Sequence, residues 1–194
     1  MKVILGSASP RRKEILSQAG IVFEVIVSDC EERITKSVPP EVVEELSRQK
    51  AEDVWKKAVL KYGSDDDLLV IGADTIVAFG HTIYGKPKDE DDAVRMLKTL
   101  SEATHQVYTG VTVINAGRTL TFSECTDVTM YDVSDEEIRS YVESGEPMDK
   151  AGAYAIQGGY ARYIKEIHGE YNNVVGFPIA RMVYELKRAG VYLL

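Results

Sequence analysis

The alternation of apolar and polar residues at the start of the chain predicts a strand, a helix and a second strand. Residues 3–5 and residues 21–27 are apolar runs of strand length. Between them, Pro10 suits the first turn of a helix, because the N–H that proline lacks has no helical partner there. Ser9 precedes it as a natural N-cap, and Gly20 follows as a natural C′ residue. Strand, helix and strand at this spacing indicate a βαβ unit.

The next part of the chain predicts a long helix followed by a buried strand. The helix extends from about residue 41 to residue 62, and Lys50 is the odd member of its apolar stripe. The aspartates at 65–67 are typical of a solvated turn. Residues 68–72 form a continuous apolar run, as expected for a central strand that is covered on both faces. The other members of the helical stripe are Val43, Leu46, Ala51, Val54 and Ala58.

The second half of the chain predicts long antiparallel strands. Apolar alternation over 105–113 and again over 120–130 indicates two strands joined by a turn at 115–117. Together with the βαβ start, they predict a mixed sheet in an α/β protein. The other expected elements are a helix over 89–99, a helix behind the capping box of Ser134 and Glu137, a strand over 161–167, a loop over 171–178 and a last helix from Pro178 that turns Ile179, Met182, Val183 and Leu186 inward.

The composition fits one soluble domain spanning residues 1–194. Its 44% of hydrophobic and 28% of charged residues are ordinary for a globular protein. We expect a cytoplasmic protein, because no apolar run is long enough to span a bilayer and the first residues do not form a signal peptide. The net charge of −8 argues against general nucleic-acid binding, although a local cluster of cations can still bind a small anion. Cys30 and Cys125 match no zinc or redox spacing, so we expect reduced thiols of which one or both are buried.

The loop before the first helix carries residue types that bind phosphate. A helix N-terminus offers unpaired N–H groups and the positive end of the helix dipole. Ser7 and Ser9 add hydroxyls there, and two forked cations follow at Arg11 and Arg12. This combination suits a phosphate. The alternative is a capped helix whose two arginines face solvent.

Asp74 interrupts an apolar run in the middle of a predicted strand. A carboxylate in such surroundings is costly unless it is paired, bound to a metal or facing a cleft. The polar pair Asp74-Thr75 favours a functional role over a cap or a bond to neighbouring backbone. Residues 28–32 place three more carboxylates after the second strand, either as a metal ligand or as a solvated loop. Lys50 either extends to the surface or reaches a buried anion from the wall of a cleft.

Two later segments also carry candidate chemistry. Residues 80–87 have the glycine and lysine spacing of a P-loop, but Pro87 stands where a Ser or Thr would bind magnesium. We therefore reject a P-loop and predict a hairpin-like turn, after which proline holds Lys86 in extended conformation. Residues 145–159 are rich in small residues without a period, which is typical of an ordered loop packed against a ligand. Gln157 in this loop can pair with the edge of a base or can simply lie exposed.

These motifs together resemble the Maf family, also called septum formation inhibitor proteins, over nearly the whole chain. Each motif alone is weak, and their combination in this order is specific. They are Ser7-Ala8-Ser9-Pro10-Arg11-Arg12, Gly72-Ala73-Asp74-Thr75, Gly85-Lys86-Pro87 with Asp89, Asp149-Lys150-Ala151-Gly152-Ala153-Tyr154 with Ile156-Gln157-Gly158, and Tyr171-Asn172-Asn173-Val174-Val175-Gly176 with Pro178.

The resemblance implies a fold and an activity. Members of the family share a two-lobed α/β fold with inosine triphosphate pyrophosphatases, with a mixed, twisted sheet, flanking helices and an interlobe cleft. They cleave nucleoside triphosphates between the α- and β-phosphates with a divalent metal, here expected to be Mg²⁺ or Mn²⁺. The Asp74-Thr75 pair is similar to the branch that acts on dTTP and UTP. The sister branch, which acts on 7-methyl-GTP, usually carries Asp-Gln there. The resemblance also implies a homodimer.

The resemblance further implies roles for single residues, and these agree with the chemistry. Asp74 would be the general base, because hydrolysis at the α-phosphorus needs a water that a carboxylate orients and deprotonates beside a metal. Family position favours Glu32 over Glu31 as the second metal carboxylate. Arg11, Thr75 and Gln157 would tune the choice of base, and a site built on such hydrogen bonds rejects bases that leave them unpaired. The groups expected to hold the triphosphate are Ser7, Arg11, Arg12, Lys50 and Lys86.

Other functions stay open on the sequence alone. One is a regulator of cell division that binds nucleotide, or nucleic acid, without turning it over, although the acidic composition weakens any DNA version. Another is the 7-methyl-GTP branch of the same family. A third differs only in substrate, which would extend to CTP and to modified nucleotides.

Overall fold

The computed structural model describes residues 1–63 and 67–193 and shows an α/β protein. Asp65 and Asp66 of the predicted solvated turn lie outside the described residues. The strands are β1 (Lys2–Leu5), β2 (Phe23–Val25), β3 (Leu68–Phe79), β4 (Thr82–Tyr84), β5 (Thr104–Asn115), β6 (Arg118–Met130) and β7 (Ile164–His168). The helices are α1 (Pro10–Gln18), α2 (Pro39–Tyr62), α3 (Glu90–Leu100), α4 (Asp135–Glu143), α5 (Tyr171–Val175) and α6 (Ile179–Arg188), and three short 3-10 segments cover Glu146–Asp149, Ala151–Ala153 and Gly159–Tyr163.

Seven strands form one mixed sheet, which confirms the predicted fold class. The strand order is β2-β1-β3-β5-β6-β7, and β4 pairs with β3 outside this path. β1 is parallel to both β2 and β3, with Leu5 opposite Val25 and Ile71. β4 is antiparallel to β3, and β7 is antiparallel to β6. The parallel part is the predicted βαβ unit, since α1 connects β1 to β2.

The chain divides into two compact units. Unit 1 consists of Met1–Asp74, Thr109–Glu124 and Gly176–Leu194, and unit 2 consists of Thr75–Tyr108 and Cys125–Val175. The strands β3, β5 and β6 each contribute residues to both units. The chain first passes from unit 1 to unit 2 at the peptide bond between Asp74 and Thr75, and it does so again between Glu124 and Cys125.

Each unit has a hydrophobic core of its own. In unit 1, α2 packs against β1 and β3, and in unit 2 a group of tyrosines adds to the aliphatic core. The core residues at the α2 contact are Ile4, Val54, Ala58, Leu68 and Val70. The tyrosines are Tyr84, Tyr141, Tyr154, Tyr160 and Tyr163.

Two glycines let α2 approach the sheet closely. A Cβ atom on Gly72 of β3 would lie 2.5 Å from the carbonyl oxygen of Ser47, and one on Gly110 of β5 would lie 2.2 Å from that of Val43. Real Cβ atoms do not approach backbone so closely, so both positions require glycine as long as α2 keeps its place. This contact between backbones fixes the height of α2, and with it the place of Lys50, above the strands.

Three predicted element boundaries are wrong. β2 covers only Phe23–Val25 of the predicted strand over 21–27. It is an edge strand, and Val22 and Val27, which flank it, are exposed. The strand predicted over 161–167 begins at Ile164, after a 3-10 segment. The loop predicted over 171–178 contains α5, where the buried Asn173 amide donates to the Val107 carbonyl oxygen (2.9 Å). The polar side chain of Asn173 thus serves as a hydrogen-bond partner for buried backbone and does not indicate a loop.

Several predicted side-chain environments also differ. Ser9 stands at the N-cap position of α1, but its side chain makes no capping bond within the described residues. Its N–H donates to Ser7 Oγ (3.3 Å). Val183 is 38% exposed, since the buried stripe of α6 narrows to Met182 and Leu186. Cys30 is half-buried and Cys125 is exposed, so neither thiol is buried.

In the described part of the chain, no helix is both long enough and apolar enough to cross a membrane.

Candidate active site

Arg12 ties the loop before α1 to two other segments of unit 1. Its Nη1 atom donates to Ser7 Oγ (3.1 Å) and to the carbonyl oxygen of Ala73 (2.9 Å). Its Nε atom donates to the carbonyl oxygen of Gly176 (2.9 Å). Ser7 is itself buried. These bonds join the start of α1 to β3 immediately before Asp74.

Charges of both signs surround this guanidinium. Burial lowers the pKa of Arg12 from its ordinary value, whereas the nearby Asp74 carboxylate raises it. Arg11 and Glu32 act on the same group with smaller, opposed effects. The Nε atom of Arg11 is buried and has no hydrogen-bond partner in the described parts of the chain. An unpaired buried donor is costly, so the Arg11 Nε–H is a donor that a ligand oxygen could satisfy.

Lys50 of α2 lies between two carboxylates from different parts of unit 1. Its Nζ atom lies 2.5 Å from Asp74 Oδ1 on β3 and 3.0 Å from Glu32 Oε1 in the loop after β2. The side chains of Lys50 and Asp74 are only 18% and 14% exposed. Lys50 therefore reaches an anion, as one of the two sequence interpretations predicts. Asp74 is the paired carboxylate that an apolar strand requires.

An ion-pair network on α2 holds the loop that carries Glu32. Asp53 Oδ2 accepts hydrogen bonds from Ser28 Oγ (2.9 Å) and from the Asp29 N–H (3.2 Å), and it lies 2.9 Å from Lys57 Nζ. Burial alone would raise the pKa of Asp53, but the bonds from Lys57 and Ser28 lower it below its ordinary value. Asp53 and Ser28 are not among the candidate site residues that the sequence predicts. The i, i+4 spacing of Asp53 and Lys57 signals their pairing, but nothing in the sequence signals the contact with the loop.

Glu32 and Asp74 are the two carboxylates of this cluster that could hold a divalent cation. Both carboxylates contact one ammonium group, so they already converge on a single cationic position. Residues 1–63 and 67–193 contain no group of three His, Cys, Asp or Glu side chains arranged to hold a metal. Mg²⁺ commonly binds one or two carboxylates together with phosphate oxygens. The pair therefore suits an ion that binds along with a phosphate ligand.

Lys86 follows a hairpin in unit 2. β3 and β4 are antiparallel, with Val77 opposite Tyr84, so the strand-to-helix junction of a P-loop is absent from this described segment. Lys86 is exposed and Pro87 is buried. The carbonyl oxygen of Gly85 accepts a hydrogen bond from the N–H of Gly152 (3.0 Å). That bond fastens the backbone before Lys86 to the small-residue loop.

Gln157 and Thr75 are the other predicted site residues in unit 2. The 145–159 loop is ordered, as the sequence predicts, and is built from two 3-10 segments and the turn that carries Gln157. The Gln157 side chain is exposed, whereas Thr75 is half-buried directly after Asp74 on β3. Exposure agrees with either interpretation of Gln157, as a partner for a base or as a surface residue.

Unit 1 brings most of the predicted site residues together. A cluster of three cations, one hydroxyl and two carboxylates can bind phosphate groups and can accept a proton from a water. Its members are Ser7, Arg11, Arg12, Glu32, Lys50 and Asp74. Unit 2 contains Thr75, Lys86 and Gln157.

Comparison with known proteins assigns the chain to a family. The model of the Maf-like protein family matches residues 2–189. A dTTP/UTP pyrophosphatase of Agathobacter rectalis is 55% identical, over 98% of this chain and 98% of its own. Proteins of the same name from Lachnoclostridium phytofermentans and Bacillus cereus are each 49% identical, over 99% and 98% of this chain and 97% and 96% of their own. These similarities show that the chain is an enzyme of the hydrolase class and that it belongs to the Maf-like protein family.

Proposed function

We propose that this protein hydrolyses dTTP and UTP to the nucleoside monophosphate and pyrophosphate with the help of a divalent cation. The observation that carries the proposal is the Lys50 ammonium between Asp74 and Glu32, in the same unit as the arginines of α1. The relatives named dTTP/UTP pyrophosphatase support the substrate class. Thr75 after Asp74 supports it too, since the 7-methyl-GTP branch usually carries Gln there.

In this proposal Asp74 is the general base. A water oxygen attacks the α-phosphorus, and the bond from that phosphorus to the oxygen bridging to the β-phosphate breaks. Pyrophosphate leaves with the electron pair of that bond, and the proton of the water passes to the Asp74 carboxylate. Lys50 donates a hydrogen bond to Asp74 Oδ1 and so orients the carboxylate before substrate binds. General-base catalysis of this kind contributes about 10²- to 10⁴-fold to a rate.

Glu32 and Asp74 would hold the Mg²⁺ or Mn²⁺ ion. When bound, such an ion neutralises phosphate charge and lowers the pKa of a coordinated water. The Lys50 ammonium contacts both of these carboxylates in the structure. A bound triphosphate would offer Lys50 further anionic partners.

The remaining residues hold the substrate. Arg12 and Lys86 add positive charge for the triphosphate, and the buried Nε of Arg11 supplies a donor. Thr75 and Gln157 would hydrogen-bond the edge of a pyrimidine, and bases that leave those groups unpaired would be rejected. CTP and modified pyrimidine nucleotides would fit the same contacts and so extend the substrate set.

The test is pyrophosphate release from purified protein. We expect release from dTTP and UTP with Mg²⁺ or Mn²⁺, little release from 7-methyl-GTP, and none after the metal is chelated with EDTA. CTP, included as a fourth substrate, measures how far the pyrimidine set extends.

Each part of the proposal has its own contrary outcome. No pyrophosphate from any of the four nucleotides would leave a nucleotide-binding regulator without turnover as the better description. Turnover of 7-methyl-GTP alone would overturn the assignment to the dTTP/UTP branch. Full turnover in EDTA would overturn the metal requirement.

The homodimer and the cytoplasmic location stay predictions. Size-exclusion chromatography with light scattering would give the mass of the particle, and a dimer would have twice the 21.5 kDa of one chain. Fractionation of cells that express the protein would test the location.

A further inference from the structure

Two side chains in unit 2 accept hydrogen bonds from the two ends of the turn that contains Gln157. The N–H of Ala155 donates to the hydroxyl oxygen of Tyr141 on α4 (3.2 Å). The N–H of Gly159 donates to both carboxylate oxygens of Glu146, at 3.0 and 3.3 Å. Gln157 is the middle residue of the five from Ala155 to Gly159. The turn is therefore closed on both sides by Tyr141 and Glu146.

The Tyr141 and Glu146 side chains are also hydrogen-bonded to each other. Burial and the hydrogen bond to Glu146 raise the pKa of the Tyr141 hydroxyl above its usual range. Tyr141 is only 4% exposed, and its ring lies 4.8 Å from that of Tyr160. Its hydroxyl thus has a fixed place from which it accepts from the turn and donates to Glu146. We call Tyr141 and Glu146 together the turn clamp.

Gly158 shows how closely the turn clamp fits its turn. A Cβ atom on Gly158 would lie 1.9 Å from Glu146 Oε1, which no side chain can occupy without expelling the carboxylate. The Glu146 carboxylate thus packs against the backbone next to Gln157 as well as bonding to Gly159. An exposed glutamine on a free loop would need none of these contacts.

We infer that the turn clamp positions Gln157 for the selection of the base. This inference rests on the proposed function, in which the Gln157 amide hydrogen-bonds the edge of a pyrimidine. Selection by an amide requires its donor and acceptor to be held in register with the base, because a misplaced amide fits wrong and right bases alike. Tyr141 and Glu146 are thus positioning residues that act through Gln157. The general base of the proposed reaction, Asp74, belongs to unit 1, whereas the contacts of the turn clamp named above lie within unit 2.

The experiment compares Tyr141→Phe and Glu146→Gln with a matched control. Tyr163→Phe is the control, because Tyr163 belongs to the same buried tyrosine group but its hydroxyl bonds to Glu137. Kinetic constants are measured for dTTP and for the purine nucleotide dGTP. In both clamp variants we expect KM for dTTP to rise about tenfold and the preference for dTTP over dGTP to fall about tenfold, with kcat for dTTP within about threefold of the wild type. The control should keep the wild-type preference.

Two further measurements separate positioning from a general loss of stability. Amide hydrogen exchange at Ala155 and Gly159 should become faster in the clamp variants, while exchange at the buried strands stays slow. In a Gln157→Ala background, adding either clamp substitution should change the base preference by less than about twofold, because residues that act through one group are not additive. Glu146→Gln keeps the shape of the side chain, so it serves if Tyr141→Phe does not fold.

The outcomes distinguish this inference from the proposed function. A wild-type protein that releases no pyrophosphate from dTTP or UTP would overturn the proposed function. Normal wild-type turnover with an unchanged base preference in both clamp variants would overturn the positioning inference alone. So would a clamp substitution that lowers the preference as strongly in the Gln157→Ala background as in the wild type.

Discussion

Lys50 and Lys57 lie two turns apart on α2, and each is paired with two carboxylates. One partner of each lysine comes from the same loop after β2, since Glu32 contacts Lys50 and Asp29 contacts Lys57. Each cluster thus consists of one lysine of α2 and two carboxylates. The second partner makes them different.

The second partner of Lys50 is Asp74 on strand β3, whereas the second partner of Lys57 is Asp53 on α2 itself. Asp74 belongs to β3 and is 14% exposed, and Asp53 lies one turn before Lys57 with 22% exposure. The loop partner of Lys57, Asp29, is 84% exposed. The Lys57 cluster therefore fastens a loop to a helix in contact with water. The Lys50 cluster joins three segments where charges interact more strongly, and this suits it to bind and release ionic ligands.

The largest effect in this comparison should come from Asp74→Asn. The amide keeps the size of the side chain but cannot accept the proton of the attacking water, so pyrophosphate release from dTTP should fall at least about 100-fold. The circular dichroism spectrum should match that of the wild type. A normally folded variant with full turnover would show that Asp74 is not the base.

Removing each lysine in turn tests the comparison directly. Lys50→Met should lower turnover about 100-fold, because the triphosphate loses a partly buried cation. It should also destabilise the protein by about 2 kcal/mol, below the range for fully buried pairs, because Asp74 loses its partner. The matched variant Lys57→Met should leave kcat for dTTP within about threefold of the wild type. Equal losses of turnover in the two variants would mean that the two clusters do not differ in role.

Asp53→Asn tests whether the second cluster supports the first. The substitution weakens the bonds to Ser28 and Asp29, so the loop should hold Glu32 less well. We expect the concentration of Mn²⁺ needed for half-maximal activity to rise about tenfold, as is typical when a group supporting a metal ligand is lost. Equilibrium binding of Mn²⁺, followed by electron paramagnetic resonance, should weaken in parallel. An unchanged Mn²⁺ requirement would mean that Asp53 only stabilises the fold.

The smallest effect concerns the pH dependence of stability. The pKa of Asp53 lies below its ordinary value of 3.8, so the ion pair stabilises the folded protein fully above that value. The contribution should disappear as the pH falls through the lowered pKa. Urea unfolding of the wild type and of Asp53→Asn should differ by less than about 1 kcal/mol at neutral pH. That difference should shrink below about pH 4, and a difference that grows there would contradict the assigned direction of the pKa shift.

The sequence predicts the elements that periodicity or caps define. The apolar stripe of α2, the capping box at Ser134 and the long alternating strands all appear where expected. One kind of error arises where a polar residue is buried with partners far along the chain. Asn173 is such a case, because its amide bonds to Val107 and Thr126 and permits a helix where polarity indicates a loop.

For the candidate site, the sequence predicts single residues but not the contacts between them. Asp74 and Lys50 are both conspicuous, because each is a charge within an apolar pattern. That they bond to each other follows only from the register of α2 on β3. Asp53, Tyr141 and Glu146 lie in ordinary amphipathic or loop sequence. The roles proposed for them rest on hydrogen bonds from distant backbone N–H groups, which no local pattern records.

The contact of α2 with Gly72 and Gly110 has a consequence for anyone who builds variant libraries of this enzyme. A single methyl group at either glycine would meet the backbone of α2 and lift the helix away from the strands. The Lys50 ammonium would then be drawn away from Asp74, although neither glycine carries a reactive group. Such variants would be inactive in a screen, and Gly72 or Gly110 would be mistaken for a catalytic residue. A library that aims to retune the enzyme should therefore hold both positions constant and vary the residues around Gln157.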